Sequence, residues 1–146
     1  MLALAQLLAV LATTLFAGAA IYINLVEHPA RMGCSTELAA TVWDPSYKRA
    51  TLMQVPLAII GFLGGLVAWA LGASFVWLVG ALFIIAVIPV TLIIIFPTNK
   101  LLLAPGLNRG APETRDLLVK WGHLHAIRTF LSVVASVIYV WQLVGA

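Results

Sequence analysis

Charge is scarce in this sequence and cysteine almost absent. Only 9% of the 146 residues are Asp, Glu, Lys or Arg, against 63% hydrophobic ones, far below the ~25% charged fraction of soluble domains. Cys34 is the single cysteine. That excludes a disulfide framework, and it excludes the quinone-coupled thiol–disulfide exchange known in small membrane proteins, which needs a reactive pair such as C-x-x-C. No glycine-rich phosphate loop and no G-x-S-x-G occurs, so nothing favours nucleotide binding or serine hydrolysis. The net charge of +3 does not form a nucleic-acid footprint, because eight basic residues are spread over two loops and their flanks.

What the chain has in abundance is long apolar runs. Four of them, near Met1–Val26, Val55–Leu71, Phe75–Phe96 and Ile127–Gly145, each approach the ~20 residues that cross a ~30 Å hydrocarbon core. Backbone hydrogen bonds must close within each run, so helix is the expected form. The expectation is an all-α, four-helix transmembrane bundle, antiparallel and up-down, forming one integral membrane domain over residues 1–146 with helices at approximately 1–28, 45–71, 74–96 and 112–144. The first run has no basic flank before it and exceeds the ~7–15 residues of a signal-peptide core, so it is read as a mature helix. Arg31, Lys48 and Arg49 lie in or beside the first loop, Lys100, Arg109, Arg115 and Lys120 in or beside the second, and the turn at Gly72–Ser74 carries no charge. The positive-inside tendency then puts both long loops in the cytoplasm and both termini outside, in a plasma (inner) membrane.

Local signals predict the helix ends. Asp44 before Pro45 reads as an N-cap with a first-turn proline, and Pro56 is expected to kink the second helix. Pro112, Glu113 and Asp116 open the fourth helix, with Asp116 placed to pair with Lys120 at i,i+4. Pro97, Thr98 and Asn99 are expected to end the third. Gly61 and Gly65 form G-x-x-x-G, which serves either packing inside the bundle or a homo-oligomer seam.

Nearly all polar groups in the apolar regions gather at one end. Asn24, Glu27, His28 and Arg31 follow at i, i+3, i+4 and i+7 on the first helix, and Trp121, His125 and Arg128 at i, i+4 and i+7 on the fourth. Charge at membrane depth costs ~2.5–3.5 kcal/mol on insertion scales, so Arg128 calls for a counter-charge, and Glu27 is the first choice. His123 and His125 diverge by ~200° around a helix and cannot both face one site unless the helix is distorted; His123 shares its stripe with Lys120 and Ile127 and is expected to face headgroups or another subunit. Three readings of the cluster stay open: a structural network, a metal-free small-molecule site, and a His28/His125 site holding haem, iron, copper or zinc.

Four separated blocks, AGAAIYINLVEHPAR at Ala17–Arg31, WDPSYKRATLMQ at Trp43–Gln54, FPTNKLL at Phe96–Leu102 and WGHLHAIRT at Trp121–Thr129, resemble the anthrone oxygenase-like family of small four-helix integral membrane proteins. The resemblance implies a site lined by Glu27, His28, Trp43, Tyr47, Gln54, Asn99, Trp121, His125 and Arg128, with Asn24 beside it. It also implies a small hydrophobic aromatic ligand and oxidation by molecular oxygen. His28 or His125 would act as base, Arg128 would hold an oxyanion, Glu27 would orient them, and Trp43, Tyr47 and Trp121 would stack on a flat substrate. The competing class is a non-enzymatic membrane subunit, or a metal- or haem-binding redox protein.

Overall fold

The computed structural model describes residues 1–145. Among them four helices are long and apolar enough to cross a membrane: α1 (Leu2–Met32), α2 (Thr36–Ala70), α3 (Val76–Leu102) and α4 (Pro112–Val144). α1 packs on α2 and α4, and α3 packs on the same two, so the helices form a square with chain neighbours side by side. Such an order is consistent with up-down topology, since the α1–α2 and α2–α3 connections are only a few residues long. Leu4, Leu11, Leu15, Leu52, Ile93, Phe130 and Val137 point outward and are exposed, as an integral membrane protein in contact with lipid requires.

The interior stacks in three apolar layers. Ala5, Ala9, Ala68, Trp77 and Tyr139 fill the end that holds the termini. Phe16, Ala20, Ala58, Ile84, Val87 and Ala135 fill the middle, and Ile23, Ala39, Trp43, Ile95, Leu118 and Trp121 the loop end. Small residues let α1 and α2 approach closely. A Cβ on Gly64 would meet the Ala9 amide nitrogen at 2.7 Å and the Ala5 carbonyl at 2.8 Å, so backbone lies against backbone there. Gly65 and Gly80 leave room for the Tyr139 ring, which stacks on Trp77 at 5.2 Å and donates its hydroxyl to the Gly61 carbonyl at 3.1 Å.

Several helix ends differ from the sequence reading. α2 starts at Thr36, capped by the Ser35 hydroxyl accepting from Leu38 N–H; Asp44 and Pro45 lie inside it. Asp44 instead pairs with Lys48 at 2.6 Å and Arg109 at 3.7 Å, tying the 103–111 connection to α2. Pro45 therefore lies inside the helix, on its exposed face, where it supplies no N–H to the ladder. α3 runs through Pro97 to Leu102, since Pro97 occupies the first turn of a fresh helical segment, where its missing N–H leaves no bond unmade. α1 continues to Met32, whose carbonyl receives Arg115 Nη2 at 2.6 Å. No Asp116–Lys120 pair forms among the described residues. Gly61 and Gly65 are consumed inside the chain by Thr13 and Tyr139 and are not available as a seam between copies.

Two π-helical turns were not foreseen. In α1 the turn spans Ile23–Glu27, closed by His28 N–H on the Ile23 carbonyl. The extra residue rotates the following face, so Ile23, His28 and Arg31 are buried while Glu27 is half-buried. In α3 the turn Val90–Ile95 follows Pro89, which supplies no N–H to the ladder. Residues 88–94 contribute no fully buried side chain. Such turns interrupt the regular face of a helix and occur often at functional sites.

Candidate functional site

Both π-helical turns flank a polar layer between the middle and loop-end cores. Ile23, Glu27 and Arg31 from α1, Trp43, Ser46, Tyr47, Ala50, Thr51 and Gln54 from α2, and Trp121, His125 and Arg128 from α4 enclose a cavity of about 20 Å³, room for one water. A second chamber of about 150 Å³ adjoins it. Tyr47, Thr51, Gln54 and Arg128 line both spaces. The remaining wall of the larger chamber is apolar: Phe16, Val55, Ala58, Val87, Ile88, Leu92 and Phe96, with Thr91. Val55, Leu92 and Phe96 are exposed on the outer surface, so this chamber lies at the α2–α3 face toward lipid.

Arg128 sits where the two spaces meet. It is buried, donates from Nη2 to Gln54 Oε1 at 2.8 Å, and lies 5.4 Å from the centre of the Phe16 ring. Glu27, its expected counter-charge, binds Arg31 and accepts from the Ser46 hydroxyl at 2.6 Å instead. Arg31 lies one turn past Glu27, at the ordinary i,i+4 spacing of a helical ion pair. None of the three ion pairs among the described residues includes Arg128. At 1.5 Å per residue, its partner Gln54 is about 24 Å from the far end of α2, which places both groups within hydrocarbon depth.

His125 also lines the small cavity, and its tautomer can be derived. Asn24 Nδ2 donates to the Gly122 carbonyl at 3.0 Å, which fixes the amide with Oδ1 toward α4. Oδ1 accepts from the Thr129 hydroxyl and lies 2.7 Å from His125 Nδ1. An amide oxygen can only accept, so Nδ1 carries the hydrogen and Nε2 keeps its lone pair. Asn24, expected to touch substrate, lines neither space and instead bonds His125.

The other expected site residues divide in the same way. Trp43 stacks on Tyr47 at 5.0 Å and meets Trp121 edge-on at 5.6 Å, forming an aromatic wall. His28 lines neither space: its Nε2 donates to the Leu118 carbonyl at 3.0 Å, and its ring sits against Gly122, where a Cβ would meet it at 2.7 Å. Asn99 is fully buried with both side-chain polar atoms unpartnered, and it too lines neither space. His123 is exposed. Ser46, Thr51 and Phe16 belong to the site and were missed; Ser46 and Thr51 share the α2 face of Trp43, Tyr47 and Gln54 at helical spacing, which is the signal that marks them.

The His28 and His125 rings pack on the Trp121 ring at 5.0 and 4.9 Å, and each has one ring nitrogen bonded to a protein partner, at Leu118 and Asn24. No group of three or more His, Cys, Asp or Glu converges among the described residues.

A family model for anthrone oxygenase matches residues 43–138, from the first aromatic residue of the wall to the last turns of α4. The chain belongs to the anthrone oxygenase family. Comparison with curated proteins and with solved structures gives no match. The family segment carries Trp43, Tyr47, Gln54, Asn99, Trp121, His125 and Arg128, while the Asn24 and Glu27 contacts come from α1, outside it.

Proposed function

We propose that the two spaces form an oxygenase site for a flat, hydrophobic aromatic substrate bearing an acidic methylene beside a carbonyl-activated ring, the chemistry of an anthrone. The observation that carries this reading is Arg128, a buried cation without a carboxylate, at the junction of an apolar chamber and a polar one. Such a group suits charge that develops on a substrate oxygen.

In the proposed reaction the aromatic body occupies the larger chamber and its oxygen approaches Arg128 and Gln54. His125 Nε2, in the small cavity, takes one methylene proton through the single water that cavity has room for, and the electron pair is held as an enolate by Arg128. The enolate carbon adds dioxygen, the co-substrate, and the proton on His125 returns to give a hydroperoxide. Loss of the second C–H proton with cleavage of the O–O bond leaves a new carbonyl, and the other oxygen departs as water. One dioxygen is thus consumed per anthrone converted to anthraquinone. Asn24 keeps Nε2 unprotonated, and the Trp43, Tyr47 and Trp121 wall keeps water scarce around the enolate. Glu27, with Arg31 and Ser46, organises the mouth of the small cavity.

All basic residues, from Arg31 to Arg128, belong to the loop-side half of the bundle, which supports cytoplasmic loops and external termini in the plasma membrane. The test of the activity is purified protein in lipid nanodiscs given anthrone, followed by anthraquinone absorbance and oxygen uptake. One oxygen per anthraquinone is expected, with a ~10²–10⁴-fold loss in His125→Ala. Oxidation no faster than in empty nanodiscs would overturn the reading, and anthrone binding without oxidation would leave a non-enzymatic binding protein.

A further inference from the structure

The small cavity has a second neighbour besides the apolar chamber. A surface groove of about 290 Å³ lies between the end of α1 and the start of α2, where Ala30, Leu38 and Val42 border it, and Glu27 and Arg31 line both the groove and the cavity. At 1.5 Å per residue, Val42 is about 42 Å and Ser46 about 36 Å from the far end of α2, past a ~30 Å hydrocarbon core. Gln54, on the same cavity, is at about 24 Å. The cavity therefore runs from hydrocarbon depth to the loop-side interface, and its outer end is a chain of hydrogen bonds. Ser46 Oγ donates to Glu27 Oε1 at 2.6 Å and accepts from Arg31 Nη2 at 3.0 Å, so one of its two lone pairs is left for the cavity water. Arg31 also binds Glu27 Oε1, while Glu27 Oε2 takes part in no hydrogen bond among the described residues. The Glu27 side chain is 31% exposed and that of Arg31 only 4%. A cluster that merely locked α1 to α2 would need neither a half-exposed carboxylate nor open space on both sides of it.

We infer that Ser46 and Glu27 form a proton port between His125 and the aqueous phase on the loop side. The proton that His125 Nε2 has taken passes to the cavity water, which gives one to Ser46 Oγ as Ser46 hands its own to Glu27 Oε1. Glu27 then releases a proton to water in the groove and is a carboxylate again. One proton has crossed, each group has returned to its starting state, and no electron has moved. The reverse passage delivers a solvent proton to the enolate carbon. The inference rests on the proton abstraction of the oxidation reading and adds an activity to it: without dioxygen, the protein exchanges the methylene hydrogens of anthrone with solvent.

The test is anthrone given to nanodisc-embedded protein in oxygen-free D2O, with methylene deuterium followed by mass spectrometry. Exchange faster than in empty nanodiscs is expected, slowed about tenfold or more in Ser46→Ala and restored in Ser46→Thr, which keeps the hydroxyl. Glu27→Gln should slow it as Ser46→Ala does; because that variant strands the buried Arg31 charge, the Ser46 pair decides the matter if it does not fold. Exchange as fast in Ser46→Ala as in the original protein overturns the inference. So does a Ser46→Thr variant no faster than Ser46→Ala, which would make the cluster a structural lock. Anthraquinone formed in air by a protein that shows no exchange above empty nanodiscs defeats the port alone, whereas Ser46-dependent exchange in a protein that never makes anthraquinone defeats only the oxidation.

Discussion

Replacing Arg128 by Leu should leave the fold nearly as stable as before while removing most of the activity. The variant loses a charged hydrogen bond to Gln54, of about 1.5–3 kcal/mol, and the cation–π contact with Phe16, of about 0.5–2 kcal/mol. It also removes a charge from membrane depth, which relieves about 2.5–3.5 kcal/mol on insertion scales. These contributions oppose one another, and the net change should fall within about 2 kcal/mol of zero. A buried ion pair behaves differently, because losing one partner strands the other charge and costs ~3–5 kcal/mol; no carboxylate is stranded here. The enolate loses its cation altogether, so turnover should fall ~10²–10³-fold, as for removal of one oxyanion donor. Reversible unfolding in mixed micelles gives the first quantity and anthrone oxidation in nanodiscs the second. A variant that unfolds several kcal/mol more easily, with residual activity in proportion to its folded fraction, would refute the reasoning and make Arg128 a structural group. Turnover within twofold of the original would refute it from the other side.

Asn24→Ala should lower kcat with little change in KM for anthrone, because Asn24 lines neither space and acts on the His125 tautomer; Asn24→Asp, which still accepts from Nδ1–H, should recover much of the rate. Gly64→Ala should cost about 1–3 kcal/mol through overpacking, since its Cβ would fall on the Ala5 and Ala9 backbone. Gly18→Ala, in the same bundle but with nothing within 4 Å of its Cβ, should instead stabilise by about 0.5–1 kcal/mol, and micelle unfolding compares the two. The exposed thiol of Cys34 should react with a membrane-impermeant maleimide only in inside-out vesicles; labelling of intact cells would reverse the proposed topology.

The four spans were legible because each rests on a run of apolar residues long enough to override local irregularity. Even Pro56 and Pro97, strong local signals, lie inside helices. The polar stripe was legible for a similar reason, since Trp121, His125 and Arg128 sit in a regular part of α4 and keep their helical spacing. The α1 stripe was legible only in part, because spacing arguments assume 3.6 residues per turn throughout. With a π-helical turn at Ile23–Glu27, Glu27 and His28 leave the positions that an unbroken helix assigns them. A proline stands two residues past each turn, Pro29 in α1 and Pro97 in α3, and the turn in α3 also follows Pro89; their missing N–H groups are the signal the residues offer for these irregularities.

The same irregularity connects the fold to the chemistry. Just at the end of the turn in α1, Glu27 is taken up by Arg31 and Ser46, and the side-chain hydrogen bond of Arg128 goes to the neutral Gln54 amide. At the level of the second π-helical turn, where residues 88–94 of α3 bury no side chain completely, the chamber beside that cation stays unfilled. A free buried cation and a vacant apolar chamber each cost stability. Their meeting at four shared residues, Tyr47, Thr51, Gln54 and Arg128, is hard to account for by packing alone, and a ligand with an oxygen head and a flat apolar body offsets both costs at once.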